Sequence, residues 1–140
     1  MIRFSTADIS YQLRDKTRLR HWLELTARKE KHRIDWLDYI LCSDEYLYAM
    51  NVRFLSHKTY TDIITFDHRP AAGPIQGECY ISLERVRENA RSLGVTAGEE
   101  LHRVMVHGLL HLCGYSDKNV HQQAVMRKRE DKYLTLLSSR

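Results

Sequence analysis

His107 and His111 stand four apart in the run V-H-G-L-L-H-L-C-G-Y-S-D, from Val106 to Asp117. Four helical residues turn through about 400°, so the two imidazoles lie about 40° and one turn apart on a common face. Neutral imidazoles placed in that way can share one Zn²⁺. Gly114 supplies the left-handed position that ends a helix. Asp117, six residues after His111, can then come back to the same ion as an oxygen ligand. Three protein ligands plus a water form the pattern of a catalytic zinc rather than a structural one. Two histidines at this spacing also occur as plain polar residues on half-buried helices. The addition of Gly114 and Asp117, at the metzincin-like spacing H-x₃-H-x₂-G-x₂-D, favours the metal. In H-E-x-x-H peptidases the residue after the first histidine is the glutamate that activates water. Here it is Gly108, so the cradle is present and the peptidase base is absent. Among further donors, Cys113 points about 200° away from His111 on a helix. His121 is a good zinc ligand by type, but Asn119 reads as the cap of a final helix that would carry His121 away from the site.

The elements needed to hold these residues can be read around them. Thr96-Ala97-Gly98-Glu99 forms a capping box for the histidine helix, with Leu101, Val104, Met105 and Leu112 as its core face. Gly108, between the histidines, lets another backbone approach closely. Upstream, Met1 to Thr6 has the composition of a short strand. Asp15 can cap a helix from about Lys16 to Lys31 with the stripe Leu19, Trp22, Leu23 and Ala27. Ile34 to Cys42, apolar on both faces, reads as an interior strand. Ser43 opens a helix whose inward face is Leu47, Met50 and Phe54. Thr61 to Phe66 is a strand by composition, and Thr61 and Asp62 at its start either shape a cleft wall or fix the strand end by local hydrogen bonds. A loop carrying both prolines follows. Gly77 to Ser82 is a further strand, and Ser82 caps a helix with the stripe Leu83, Val86, Ala90 and Leu93 that ends at Gly94. The last helix spans about Asn119 to Leu137. About four strands and five helices in this order read as α+β, with the metal-ligand helix packed on one face of a small mixed sheet.

The chain has 140 residues, 43% of them hydrophobic, enough for one compact domain over residues 1–140 with a real core. A formal charge of +4 suits an anionic partner such as RNA, though a lysine-rich solvated surface gives the same figure. No apolar signal core opens the chain and no membrane-length apolar run interrupts it, which reads as cytoplasmic. Cys42, Cys79 and Cys113, odd in number and widely spaced, read as small core residues rather than a disulfide framework.

Three motifs together carry a resemblance to a known family. Asn51 through Phe66 ends in T-D-I-I-T-F, Gly77 through Ser82 reads G-E-C-Y-I-S, and V-H-G-L-L-H-L-C-G-Y-S-D closes the set. They resemble, in order, the N…Y-R-G-K-D…T-D-V-L-S-F block, the G-D-I-x-I-S strand and the H-G-x-L-H-L-x-G-Y-D-H signature of the YbeY family, zinc-dependent endoribonucleases of rRNA maturation. The resemblance runs over most of the chain, from Leu47 to Asp117 in particular. It implies a small α+β fold, one zinc, and processing of ribosomal RNA, chiefly at the 3′ end of the small-subunit rRNA, with a part in ribosome quality control. Two positions depart from the pattern. The family's third histidine aligns with Asp117, a workable but harder and more anionic oxygen ligand. The family's arginine, which the resemblance assigns to the RNA phosphate, aligns with Leu55. Arg53, His57 and Lys58 are the nearby cations that could replace it.

The expectation is therefore a metal-dependent endoribonuclease, with zinc on His107, His111 and Asp117, acting on ribosomal RNA of the small subunit. Two other classes share parts of this pattern. A ribosome-associated RNA-binding module with a mainly structural zinc would share the basic charge and fits the loss at Leu55. A metallopeptidase would share the cradle but not Gly108.

Overall fold

The computed structural model describes residues 1–139. In chain order its elements are β1 (Ile2–Thr6), α1 (Lys16–Lys29), β2 (Ile34–Cys42), α2 (Asp44–Leu55), β3 (Ile63–Asp67), β4 (Ile75–Ser82), α3 (Leu83–Leu93), α4 (Ala97–Leu112) and α5 (Val120–Ser138). This is the α+β fold that the order of elements implies. Four strands form one mixed sheet in the order β1-β2-β4-β3. β1 and β4 flank β2 in parallel, and β3 runs antiparallel to β4 at the edge.

Alternation along the strands decides what each face covers. Leu37, Tyr39 and Leu41 of β2 and Ile75, Cys79 and Ile81 of β4 join the main core, with Trp22 and Leu23 of α1, Met105 and Leu109 of α4, and Tyr133 of α5. Cys42 and Ile64 point the other way, into a smaller cluster under Leu47 of α2. The histidine helix α4 is thus packed on one face of the sheet, and α2 lies on the other. Two buried bonds fix α4 and α5 in place. The Tyr39 hydroxyl donates to the Met105 carbonyl at 2.7 Å, and the Trp22 indole N–H donates to the Tyr133 carbonyl at 2.7 Å. A buried polar tip finds such a partner or costs free energy.

The structure differs from the sequence reading at a few element ends, each with a local reason. Asp15 stands at the N-cap of α1 but at φ 59°, with no side-chain cap bond. A cap needs extended backbone to aim its oxygen at the first free N–H groups. The first helix stops short of Lys31, which takes φ 65°. Phe54 and Leu93 are 56% and 51% exposed; each sits in the last turn of its helix, past the edge of what it packs on. β4 starts at Ile75, two residues before Gly77, because Ile75 pairs with Ile34 of β2. Among the described residues, no helix is long and apolar enough to cross a membrane.

Candidate metal centre

The centre is assembled by α4 and the turn that ends it. Thr96 caps the helix by accepting from the Glu99 N–H at 3.1 Å, with Glu99 and Glu100 in the first turn. No other bond of a reciprocal capping box joins the pair. Core residues on α4 seat it against the sheet, so His107 and His111, on another side, face a cleft. At the far end Gly114 takes φ 106°, a conformation that favours glycine. Its N–H donates to the His111 carbonyl at 3.0 Å and that of Tyr115 to the Leu110 carbonyl at 3.1 Å, closing the turn. Arg69 donates to the Leu112 carbonyl at 2.7 Å, a cation at the negative end of the helix. The turn sends Asp117 back over the histidines.

Three donor atoms converge there. His107 Nε2 and His111 Nε2 are 3.0 Å apart, and Asp117 Oδ2 is 3.3 Å from each. The opposite ring nitrogens are both engaged: His107 Nδ1 is 2.6 Å from Glu130 Oε2, and His111 Nδ1 is 2.9 Å from the Tyr115 carbonyl. Both of those partners are acceptors, so each imidazole donates from Nδ1, and the neutral form of each ring then turns a bare Nε2 toward the other. Two nitrogen lone pairs and a carboxylate oxygen facing one another at about 3 Å repel unless a cation lies among them. The residues present therefore fit a metal, and His107, His111 and Asp117 form a group that could hold an ion.

Other side chains stiffen this arrangement. The Tyr115 hydroxyl donates to Glu30 at 2.7 Å, Tyr133 donates to the same carboxylate, and Arg129 lies 3.4 Å from it. Burial raises the Glu30 pKa, but the two tyrosine hydrogen bonds and the positive charge of Arg129 outweigh it and hold that carboxyl below its ordinary value. At His107 burial disfavours the charged ring, yet the hydrogen bond and charge of Glu130 leave its pKa raised. Burial pushes the Asp62 carboxyl up, against the attraction of His107.

The cleft measures about 500 Å³ and is walled by α2, β3 and the segment between them. Of the cations suggested by the sequence, His57 lines it, as do Leu55, Thr61 and Asp62. Arg53 lies in a separate groove with Phe54, Phe66 and Tyr80, its guanidinium 5.2 Å from the Phe54 ring centre. Lys58 is exposed and is not part of the cleft wall. Cys113 stands outside the ligand group, and burial pushes its thiol up to about 12. His121 is exposed in the first turn of α5, also outside the group. Gly108 meets side chains of the sheet, not the backbone that its size suggests: a Cβ there would lie 2.7 Å from Cys79 Sγ and 2.9 Å from Ile63 Cδ1. Sequence reasoning overlooked Glu130, although a signal existed. Met126, Glu130, Tyr133 and Leu137 form the buried stripe of α5, and an acid inside an apolar stripe has a buried partner.

Along nearly its whole length the chain is similar to known proteins. The family model described as Endoribonuclease YbeY matches residues 1–138. A Cytophaga hutchinsonii protein named endoribonuclease YbeY is 50% identical over 133 residues, 95% of this chain and 93% of its own. A namesake from Flavobacterium johnsoniae is 38% identical over 136 residues, 97% and 96% of the two chains. A Thermotoga maritima protein solved in solution superposes with a TM-score of 0.65 at 29% identity, covering 98% of this chain and 89% of that one. With a match along nearly its whole length and relatives of its own size, this chain belongs to the endoribonuclease YbeY family.

Proposed function

We propose that this protein is a zinc-dependent endoribonuclease that hydrolyses phosphodiester bonds of ribosomal RNA, in the cytoplasm, chiefly in maturing the 3′ end of the small-subunit rRNA. The observation that carries the reading is the convergence of His107 Nε2, His111 Nε2 and Asp117 Oδ2 at the side of an open cleft. Ligand atoms of a tetrahedral zinc at bond lengths near 2.0–2.1 Å stand roughly 3.3–3.4 Å apart, close to the spacings here. Three protein ligands leave a fourth position for water or substrate. Zinc at these residues would polarise a phosphate oxygen or bring the pKa of a bound water from ~15.7 toward ~7.

The chain's own residues do the rest. The two Nδ1–H groups, tied to Glu130 and to the Tyr115 carbonyl, keep both Nε2 atoms aimed at one point. His57 stands on the cleft wall where a phosphate would pass, and the formal charge of +4 favours a polyanion. The free thiols of Cys42, Cys79 and Cys113 fit a reducing compartment.

The test is a cleavage assay on RNA and on casein with purified protein, with and without chelator, after metal analysis. The expected result is stoichiometric zinc, RNA cleavage that chelator abolishes and zinc restores, and no casein hydrolysis. Chelator-sensitive proteolysis without RNA cleavage would overturn the proposal.

Leu55, 42% exposed on the cleft wall, favours a second reading, an RNA-binding module whose zinc is structural. The same position supplies the discriminating variant. Leu55→Arg is expected to raise RNA cleavage roughly 3- to 10-fold, since one charge-assisted phosphate contact in a partly wet cleft is worth about 1 kcal/mol. His57→Ala is expected to lower it, while Arg53→Ala and Lys58→Ala, off the cleft wall, change it less. If Leu55→Arg gives no gain and Arg53→Ala or Lys58→Ala reduces cleavage, the phosphate contact has moved to those residues. Zinc-loaded protein that binds RNA but never cuts it would favour the module.

A further inference from the structure

Glu130 belongs to α5, and its carboxylate reaches Arg103 and His107 of α4. It is 5% exposed. One oxygen, Oε2, is 2.6 Å from His107 Nδ1, and the other, Oε1, accepts from Arg103 Nη1 at 2.8 Å. Arg103 in turn donates to Asp131 at 2.7 Å. A carboxylate so deep in a protein is costly to bury without such partners. Arg103 secures one side of it, leaving the other oxygen directed at the imidazole.

We infer that Glu130 is a positioning residue of the metal centre, which holds His107 as the Nδ1–H tautomer and fixes its ring so that Nε2 presents its lone pair toward His111 and Asp117. The inference rests on the reading of those three residues as metal ligands. A neutral imidazole free in water populates both tautomers, and only one of them leaves Nε2 able to bind an ion. The carboxylate, 2.6 Å from Nδ1, selects that one. His111 receives the same service from a backbone carbonyl, which substitution cannot remove. Glu130 is therefore the replaceable half of the device.

Two variants separate its parts. Glu130→Gln keeps an acceptor oxygen and loses the charge, while Glu130→Met loses both in a similar volume. Arg103 keeps Asp131 in either case. Long-range ¹H–¹⁵N spectra of the metal-free protein, above the titration of its histidines, read the tautomers directly. Zinc affinity is read by competition with a chromophoric chelator, and thermal melts show whether each variant is folded. The wild type is expected to show His107 as the Nδ1–H form alone. Glu130→Met should show a mixture with the Nε2–H form and bind zinc about 10- to 100-fold more weakly. Glu130→Gln should keep the tautomer and lie between the two in affinity. His111 should be unchanged throughout, a pattern that general loosening of α5 would not give. Should Glu130→Met not fold, Glu130→Gln still decides: both His107 tautomers in it, with wild-type zinc affinity, would overturn the inference. So would a folded Glu130→Met with the wild-type tautomer and affinity. Failure of the wild type to take up zinc would instead sink the metal reading, with the tautomer comparison still deciding what Glu130 does to His107.

Discussion

His111→Ala is expected to empty the metal site and to lower RNA cleavage by about 10³-fold or more, a barrier increase of about 4 kcal/mol. His111 is the cleaner of the two histidines to remove. Its Nδ1 partner is the Tyr115 carbonyl, which can turn to water, whereas losing His107 would leave Glu130 buried without one of its two partners. Asp117→Ala should behave like His111→Ala, because Asp117 Oδ2 stands 3.3 Å from both imidazole nitrogens. Asp117→His should keep zinc, since the turn at Gly114 delivers the side chain and imidazole is a zinc donor of equal standing. His121→Ala should change occupancy little, its side chain being exposed at the start of α5. Equilibrium dialysis against zinc, with cleavage measured on the same samples, checks all four. Loss of zinc in His121→Ala with retention in Asp117→Ala would refute the ligand set.

The convergence of His107, His111 and Asp117 was legible in the sequence because its determinants are local. His107 and His111 are related by helical pitch, and Asp117 by a turn whose glycine is visible. The order of strands and helices was legible for the same reason, since periodicity and capping residues act over a few positions. What escaped was set by tertiary contact. Glu130 is 23 residues from His107 along the chain, and nothing near it announces which element its stripe will meet. Glu30 lies 85 residues from Tyr115 and 103 from Tyr133, yet it ties the turn after α4 to the end of α1. The cations near Leu55 were grouped by proximity in sequence, but α2 and the segment after it distribute them: Arg53 to the groove beside Phe54 and Phe66, His57 to the cleft. Asp15 failed as a cap through its backbone angle, which its residue type does not determine.

Gly108→Glu would complete an H-E-x-x-H sequence, and it is expected to destabilise the protein strongly rather than make a peptidase of it. Successive residues of a helix point about 100° apart, so while His107 and His111 look into the cleft, position 108 looks at the sheet. There a Cβ alone would sit 2.7 Å from Cys79 Sγ and 2.9 Å from Ile63 Cδ1. Cys79 is wholly buried, so it cannot swing into solvent to make room. Replacing glycine inside a helix gains up to about 1 kcal/mol. Overpacking costs about 1–3 kcal/mol, and an unpaired carboxylate in that setting costs several more. The balance is a loss above about 3 kcal/mol, a large part of the roughly 5–15 kcal/mol that holds a domain together. Thermal melts should show Gly108→Glu lowered by about 10 °C or more, if it folds at all. Gly108→Ala, which keeps the Cβ clash but buries no charge, should lose about 0–2 kcal/mol and melt between the wild type and Gly108→Glu, with zinc binding retained. A Gly108→Glu protein that melts like the wild type and hydrolyses casein in a chelator-sensitive way would show that α4 can turn on the sheet. As built, the close seat of α4 on β3 and β4 leaves the cradle no place beside His107 for a peptidase base.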